Sequence, residues 1–168
     1  MASLSRRASR PIRRAEPATT ADCWSRSPSK RSRLSCAAVP AIGAILVPVN
    51  TRFRSVDVTY VLKQSDASTL IVQEGGRGTS YFDILGQIDP GYRDEKQGAW
   101  HSQVLPYLKR VIGLTASTVE PPASMSSFKG IESLGASLLS HSGSAIDAAL
   151  AARMKNVSGD DVAQILYT

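Results

Sequence analysis

Cysteine and histidine are scarce in this chain of 168 residues, which has two of each. Cys23 and Cys36 form no Cys-x-x-Cys pair, and no cluster of histidines accompanies them. That excludes a disulfide framework and the usual zinc spacings, and both are expected as reduced thiols in a cytoplasmic protein. Long hydrophobic runs are also missing. The longest, Ala37 to Val49, is broken by Pro40 and Pro48, short of the roughly 18–20 apolar residues that a membrane span needs. A soluble protein with no membrane span is expected. Neither Gly-x-Gly-x-x-Gly nor the Walker pattern with its lysine occurs, so two of the common phosphate-binding loops are ruled out.

The formal charge is +6, but it is unevenly placed. Residues 1–33 carry nine basic groups against two acids, Glu16 and Asp22, a local balance of +7 that leaves −1 for the remainder. Composition therefore gives the body no reason to bind a polyanion, and nucleic acid is not an expected partner there. Residues 1–37, rich in Ser, Arg, Ala and Pro with few aliphatic side chains, are expected to form a disordered basic head, because they cannot bury enough apolar surface to offset the entropy of ordering. Three origins fit such text: out-of-frame translation of GC-rich DNA, a nucleic-acid-binding tail, or a targeting peptide. Against the last, there is no amphipathic apolar face, and no hydrophobic segment follows Arg6-Arg7 as in a twin-arginine signal.

From residue 38 onward, β-rich and helical segments alternate. Ala44 to Val49 is a short apolar strand. Ser55 caps a helix with Val58, Val61, Leu62 and Ser65 on its inner face and Asp57 in its first turn, where the helix dipole favours an acid. Thr69 to Val72 is a strand and Gly75-Gly76-Arg77-Gly78 a loop. Thr79 then caps a second helix carrying Tyr81, Phe82, Leu85 and Ile88, which ends at Asp89-Pro90-Gly91. Arg110 to Leu114 is another strand, and a Pro/Ser-rich connection covers Thr115 to Ser127. Two further helices, Gly130 to Ser137 and an amphipathic Ala145 to Val157, precede a final strand, Val162 to Tyr167. The last is nearly all apolar, as a parallel strand covered on both faces would be. Strands and helices in alternation imply an α/β domain over residues 38–168 built on a largely parallel sheet.

Candidate sites are few. Gly75 to Gly78 could approach an anion closely, but it matches no phosphate-loop pattern and reads as a plain loop. His101 and His141 lack a base, nucleophile or metal partner in their surroundings. Ser140-His141-Ser142 places the groups next to each other in sequence, which is not triad geometry. Asp160-Asp161, preceded by Ser158-Gly159, reads as a solvated turn rather than a metal pair. No catalytic residue and no metal ligand is assigned.

Several segments taken in order carry a resemblance. Gly43-Ala44-Ile45-Leu46-Val47-Pro48-Val49-Asn50-Thr51-Arg52-Phe53-Arg54, the helix after it, and Ser65 to Val72 resemble the amino-terminal part of the AMP-forming acyl-activating enzymes, in particular fatty-acyl-CoA synthetases. Leu105-Pro106-Tyr107-Leu108-Lys109-Arg110-Val111-Ile112 is similar to that family's "LPxLRRVV" strand. Met125-Ser126-Ser127-Phe128 resembles the lead into the helix before the nucleotide loop. Asp160 to Thr168 resembles the strand that runs into the signature Ser-Gly-Thr-Thr-Gly-x-Pro-Lys-Gly. The resemblance implies a partial amino-terminal domain of this fold. It also implies a parent chemistry of ATP-dependent activation of a carboxylic acid through an acyl-adenylate to a coenzyme A thioester, with ATP, Mg²⁺ and coenzyme A as cofactors. Of the family's cofactor-binding residues it assigns only Tyr167 and Thr168, at the leading edge of the phosphate loop. A fragment inactive alone is the expectation, with no cofactor of its own and with a complementing carboxy-terminal chain as a candidate partner. The alternatives are a non-catalytic binding protein with a basic nucleic-acid-binding tail, and one half of a split ligase.

Overall fold

The computed structural model describes the backbone of residues 21–24, and residues 37–76, 78–93, 101–115 and 120–168. Its centre is a five-stranded sheet. The strands are β1 (Ala21–Trp24), β2 (Leu46–Pro48), β3 (Thr69–Gln73), β6 (Arg110–Leu114) and β7 (Ser126–Ser127), in the order β2-β1-β3-β6-β7. Every pairing is parallel. A separate two-residue hairpin joins β4 (Gly75–Gly76) to β5 (Thr79–Ser80). The helices are α1 (Ser55–Gln64), α2 (Tyr81–Ile88) and α3 (Phe128–Lys155), with a short 3₁₀ turn at Pro90–Arg93 and a helical stretch over residues 37–41. This is the α/β architecture that the alternating pattern implies.

The alternation of side chains along each strand divides the apolar residues between two faces. Val47, Val49, Leu70, Val72 and Val111 join one buried cluster with Val58, Val61 and Leu62 of α1 and Phe82, Ile84, Leu85 and Ile88 of α2. Leu46, Ile71 and Leu114 are buried too, but they stand outside that cluster, on the opposite face. The chain moves in one direction across the sheet from β2 through α1 to β3 and through α2 to β6, then returns from β7 through α3 to the β2 edge. Right-handed parallel crossovers running in opposite directions lie on opposite faces, which assigns α3 to the second face.

β1 overturns part of the expected head. Residues 21–24 lie between β2 and β3 as a central strand, inside the stretch expected to be disordered. Composition weighs side-chain burial, whereas a central strand is also held through its backbone by neighbours on both sides. Residues 1–20 and 25–36, and Cys36 with them, lie outside the described residues.

The helix starts shift by one residue. The Arg54 amide is the cap position of α1 and donates to Asp57 Oδ2 at 3.0 Å. For α2 the cap is Ser80, whose hydroxyl accepts from the Asp83 amide at 3.1 Å. The two helices expected over 130–137 and 145–157 are both present within α3, which is two helical segments meeting at a kink at the non-helical Ser142 (φ −144°, ψ 30°).

The final strand is the largest correction. Residues 162–167 make one isolated parallel bridge, Leu46 to Gln164, in which the Leu46 amide donates to the Ala163 carbonyl at 3.0 Å and the Ile165 amide to the Leu46 carbonyl at 3.0 Å. Alternate residues of a strand face the same neighbour, so Pro48 comes next toward this segment. Having no N–H, it cannot continue the ladder. The segment is also covered on one face only: Ile165 and Tyr167 pack against the main cluster, while Val162 and Leu166 are 55% and 68% exposed.

Candidate functional site

Because all strands are parallel, their carboxyl ends form one edge, where ligand sites of open α/β sheets lie. After β2 the chain turns sharply there. Asn50 Oδ1 accepts from the Arg52 amide at 3.0 Å, and the Phe53 amide donates to the Asn50 carbonyl at 3.0 Å. Asparagine satisfies its own neighbouring backbone in this way, which suits it to a turn between a strand and a helix. The turn is tied to the next crossover unit. Tyr81 donates its hydroxyl hydrogen to the Thr51 carbonyl at 3.5 Å, and Arg54 Nη1 donates to Thr79 Oγ1 at 3.4 Å.

The terminal segment arrives at the same edge. It runs parallel to β2, so Tyr167 and Thr168 stand at its carboxyl side. The Tyr167 ring meets the Tyr60 ring of α1 edge to face, with centroids 6.3 Å apart at 89°, a geometry that aligns a positive ring edge with a negative ring face. Of the site residues assigned by resemblance, Tyr167 is packed against Tyr60 of α1, and Thr168 follows it, exposed. Of the residues that hold that neighbourhood together, Arg54 and Tyr60 were not singled out from sequence, and Thr79 was read only as a helix cap. Only the strand-turn-helix pattern around Asn50 signals them.

The other candidates do not converge. Gly75 to Gly78 belongs mainly to the hairpin: a Cβ at Gly75 would collide with the Thr79 carbonyl, and Gly78 has φ +75°. These glycines serve the turn. His101 is exposed. His141 Nδ1 lies 2.8 Å from the Ser137 carbonyl of its own helix and 3.1 Å from Ser140 Oγ, on the exposed surface of α3. Asp161 Oδ2 accepts from the Ser158 amide at 2.8 Å, and the Asp160 amide donates to Ser158 Oγ at 3.3 Å, closing the expected turn. Among the described residues, no group of three or more His, Cys, Asp or Glu could hold a metal ion. No helix among them is long and apolar enough to cross a membrane.

Tyr92 has a shifted proton affinity. Burial raises its pKa above the ordinary tyrosine value, the Arg93 guanidinium opposes this and Asp83 adds to it. It follows the carboxyl end of α2, which begins at the ligand-side edge and runs back across the sheet, so Tyr92 belongs to the opposite end. The carboxyl edge therefore offers turn backbone, two arginines and an aromatic pair. Among the described residues, this edge holds no carboxylate set for the Mg²⁺ of a nucleotide triphosphate, and Gly75, Gly76 and Gly78 are taken up by the hairpin.

No family model matches the sequence. The chain is 34% identical over 131 residues to YngI of Bacillus subtilis (strain 168), a protein assigned by name as an acyl-CoA synthetase; the match covers 78% of this chain and 22% of that one. It is 35% identical over 74 residues to the human mitochondrial medium-chain acyl-CoA ligase ACSF2, covering 44% of this chain and 12% of the other. Among solved structures, it is similar to one from Rhodopseudomonas palustris CGA009 assigned as a long-chain-fatty-acid CoA ligase, with TM-score 0.47, 19% identity, and coverage of 89% of this chain and 26% of that one. The chain thus spans about a fifth of the length of YngI. Over that part, it belongs to the AMP-forming acyl-CoA synthetase-like family.

Proposed function

We propose that this chain supplies the amino-terminal part of an ATP-dependent acyl-CoA ligase and carries out no adenylation by itself. The whole ligase joins a carboxylic acid to ATP, releasing pyrophosphate and forming an acyl-adenylate, and then transfers the acyl group to coenzyme A with release of AMP. The 131-residue likeness to YngI carries this reading. The geometry is in keeping with it, since the terminal segment delivers Tyr167 and Thr168 to the ligand-side edge of a parallel sheet. Adenylation also needs preorganised donors and cations around the transferring phosphoryl group. The described residues at this edge do not make up such a set.

Carboxylate-dependent pyrophosphate exchange tests both halves of the proposal. With a panel of fatty and aryl acids, the purified chain should give only the no-enzyme blank. A chimera in which this chain replaces the matched segment of YngI should exchange. Exchange by the isolated chain, abolished by substitutions within residues 38–168, would overturn its inactivity. A folded chimera without exchange would overturn the ligase role.

A further inference from the structure

The terminal segment is tied to the sheet by little backbone. Its bridge to Leu46 consists of two hydrogen bonds, one accepted by the Ala163 carbonyl and one donated by the Ile165 amide. Residues 165–168 form no further bridge, so the course of the chain past that point leans on side-chain contacts. Ile165 and Tyr167 alternate onto the first face, and both pack against the main cluster. Tyr167 also meets Tyr60, edge to face, with ring centroids 6.3 Å apart. Tyr60 stands outside the buried row of α1, which is Val58, Val61 and Leu62, and is 59% exposed. An amphipathic helix ordinarily carries a polar residue at such a place. Here the position holds an aromatic ring, and the ring is aimed at the segment that carries the assigned site residues.

We propose that Tyr60 is a positioning residue for the candidate site: through the edge-to-face contact it fixes the Tyr167 ring, and with it the direction in which Thr168 leaves the segment. Two features give it that role. An edge-to-face pair has an orientation preference that an aliphatic contact lacks, because the positive edge of one ring is drawn to the negative face of the other. A ring at position 60 therefore directs its neighbour as well as covering it. The support is also unequal on the two sides. α1 is bonded at its start from the Arg54 amide to Asp57 Oδ2 and packed through Val58, Val61 and Leu62, whereas the segment has one bridge, so the constraint runs from helix to segment. Site geometry is held most closely by side chains carried on such a packed element. The inference rests on the ligase reading above, which gives Tyr167 and Thr168 their place in cofactor binding.

Tyr60→Ala, Tyr60→Leu and Tyr60→Phe, each made in the isolated full-length chain and in the YngI chimera, test it. In the isolated chain, the Tyr167 ring-proton resonances carry the ring current of Tyr60; they should hold their places in Tyr60→Phe and move in Tyr60→Ala and Tyr60→Leu. Exchange of the Ile165 amide should speed about tenfold in Tyr60→Ala, the upper range for losing an edge-to-face pair. The melting temperature should not change, because a segment held by one bridge opens before the domain unfolds. In the chimera, Tyr60→Ala and Tyr60→Leu should slow pyrophosphate exchange about tenfold or more, as misplacement of a site does, and Tyr60→Phe should keep it. Tyr167 resonances and Ile165 exchange indifferent to Tyr60→Ala would overturn the contact. Tyr60→Leu behaving as Tyr60→Phe would reduce Tyr60 to apolar cover, and a loss of pyrophosphate exchange matched by a loss of melting temperature would reduce it to a structural residue; either overturns the positioning role. Undiminished pyrophosphate exchange in the Tyr60→Ala chimera would overturn it too, with the ligase reading intact. A chimera without pyrophosphate exchange while Tyr60 is present would refute the ligase reading instead, and the isolated chain would still decide whether Tyr60 anchors Tyr167.

Discussion

On one face of the sheet, α2 buries five of its eight residues, Tyr81, Phe82, Ile84, Leu85 and Ile88, and α1 adds Val58, Val61 and Leu62. On the other, the much longer α3 buries none. Both faces carry leucine and isoleucine at helical spacing, so apolar content does not separate them. What separates them is whether the helix interlocks with the strand residues opposite. Val47, Leu70, Val72 and Val111 share one buried cluster with α1 and α2 on the first face, whereas Leu46, Ile71 and Leu114 are buried on the second without burying any residue of α3. Helix length is therefore a poor guide to what stabilises this domain.

Cutting into each face is the harshest test of that contrast. Leu70→Ala should cost about 2–5 kcal/mol in denaturant unfolding, whereas Leu134→Ala should stay within about 0.5 kcal/mol. Similar costs would erase the distinction. Neighbouring positions of the terminal segment sharpen it further. Ile165→Lys puts a charge against the main cluster and should destabilise by about 1–3 kcal/mol, while Leu166→Lys should leave the melting temperature alone and raise soluble yield. The two serine caps come next, since Ser80 Oγ accepts from the Asp83 amide and Ser127 Oγ from the Gly130 amide at 3.0 Å. Ser80→Ala should lower global stability by about 1 kcal/mol, and Ser127→Ala should show only as faster hydrogen exchange in the first turn of α3.

The smallest effect concerns pH. The folded pKa of Tyr92 is raised, chiefly by burial, so the folded protein holds this proton at a pH where the unfolded chain, near the usual value of about 10, has begun to lose it. Its contribution is complete below that pH and falls away as pH rises from there toward the folded value. Tyr92→Phe should flatten the alkaline end of the stability profile and leave the neutral region unshaped by titration. An unchanged alkaline slope would place the titration elsewhere.

Arg110 to Leu114 and the inner faces of α1 and α2 were legible in the sequence because each is decided by its own periodicity. The caps were legible to within one residue, since Arg54 and Ser80 sit beside the polar residues that compete for the role. β1 was not, because a four-residue strand in Arg/Ser-rich text is specified by its neighbours rather than by its side chains. The 162–167 segment misled for the complementary reason. Its apolar run describes a strand that could be buried on both faces, but cannot show that Pro48 would interrupt the ladder. At the carboxyl edge, resemblance brought Tyr167 and Thr168 into view. The links from Arg54 to Thr79 and from Tyr60 to Tyr167 join residues distant in sequence, and no local pattern encodes them.

The Leu46 to Gln164 bridge spans 118 positions of sequence. At a synthesis rate of about 5–20 residues per second, about 6–24 s separate the two partners as they leave the ribosome. Throughout that interval the outer edge of β2 is available to any other nascent strand. Pro48, half-buried within β2, removes a backbone donor from that edge. The residue that limits the final pairing to a single bridge therefore also guards the waiting strand against promiscuous ones. Replacing it with valine would lengthen the ladder in the finished protein and make the newborn chain more prone to aggregate before it is finished.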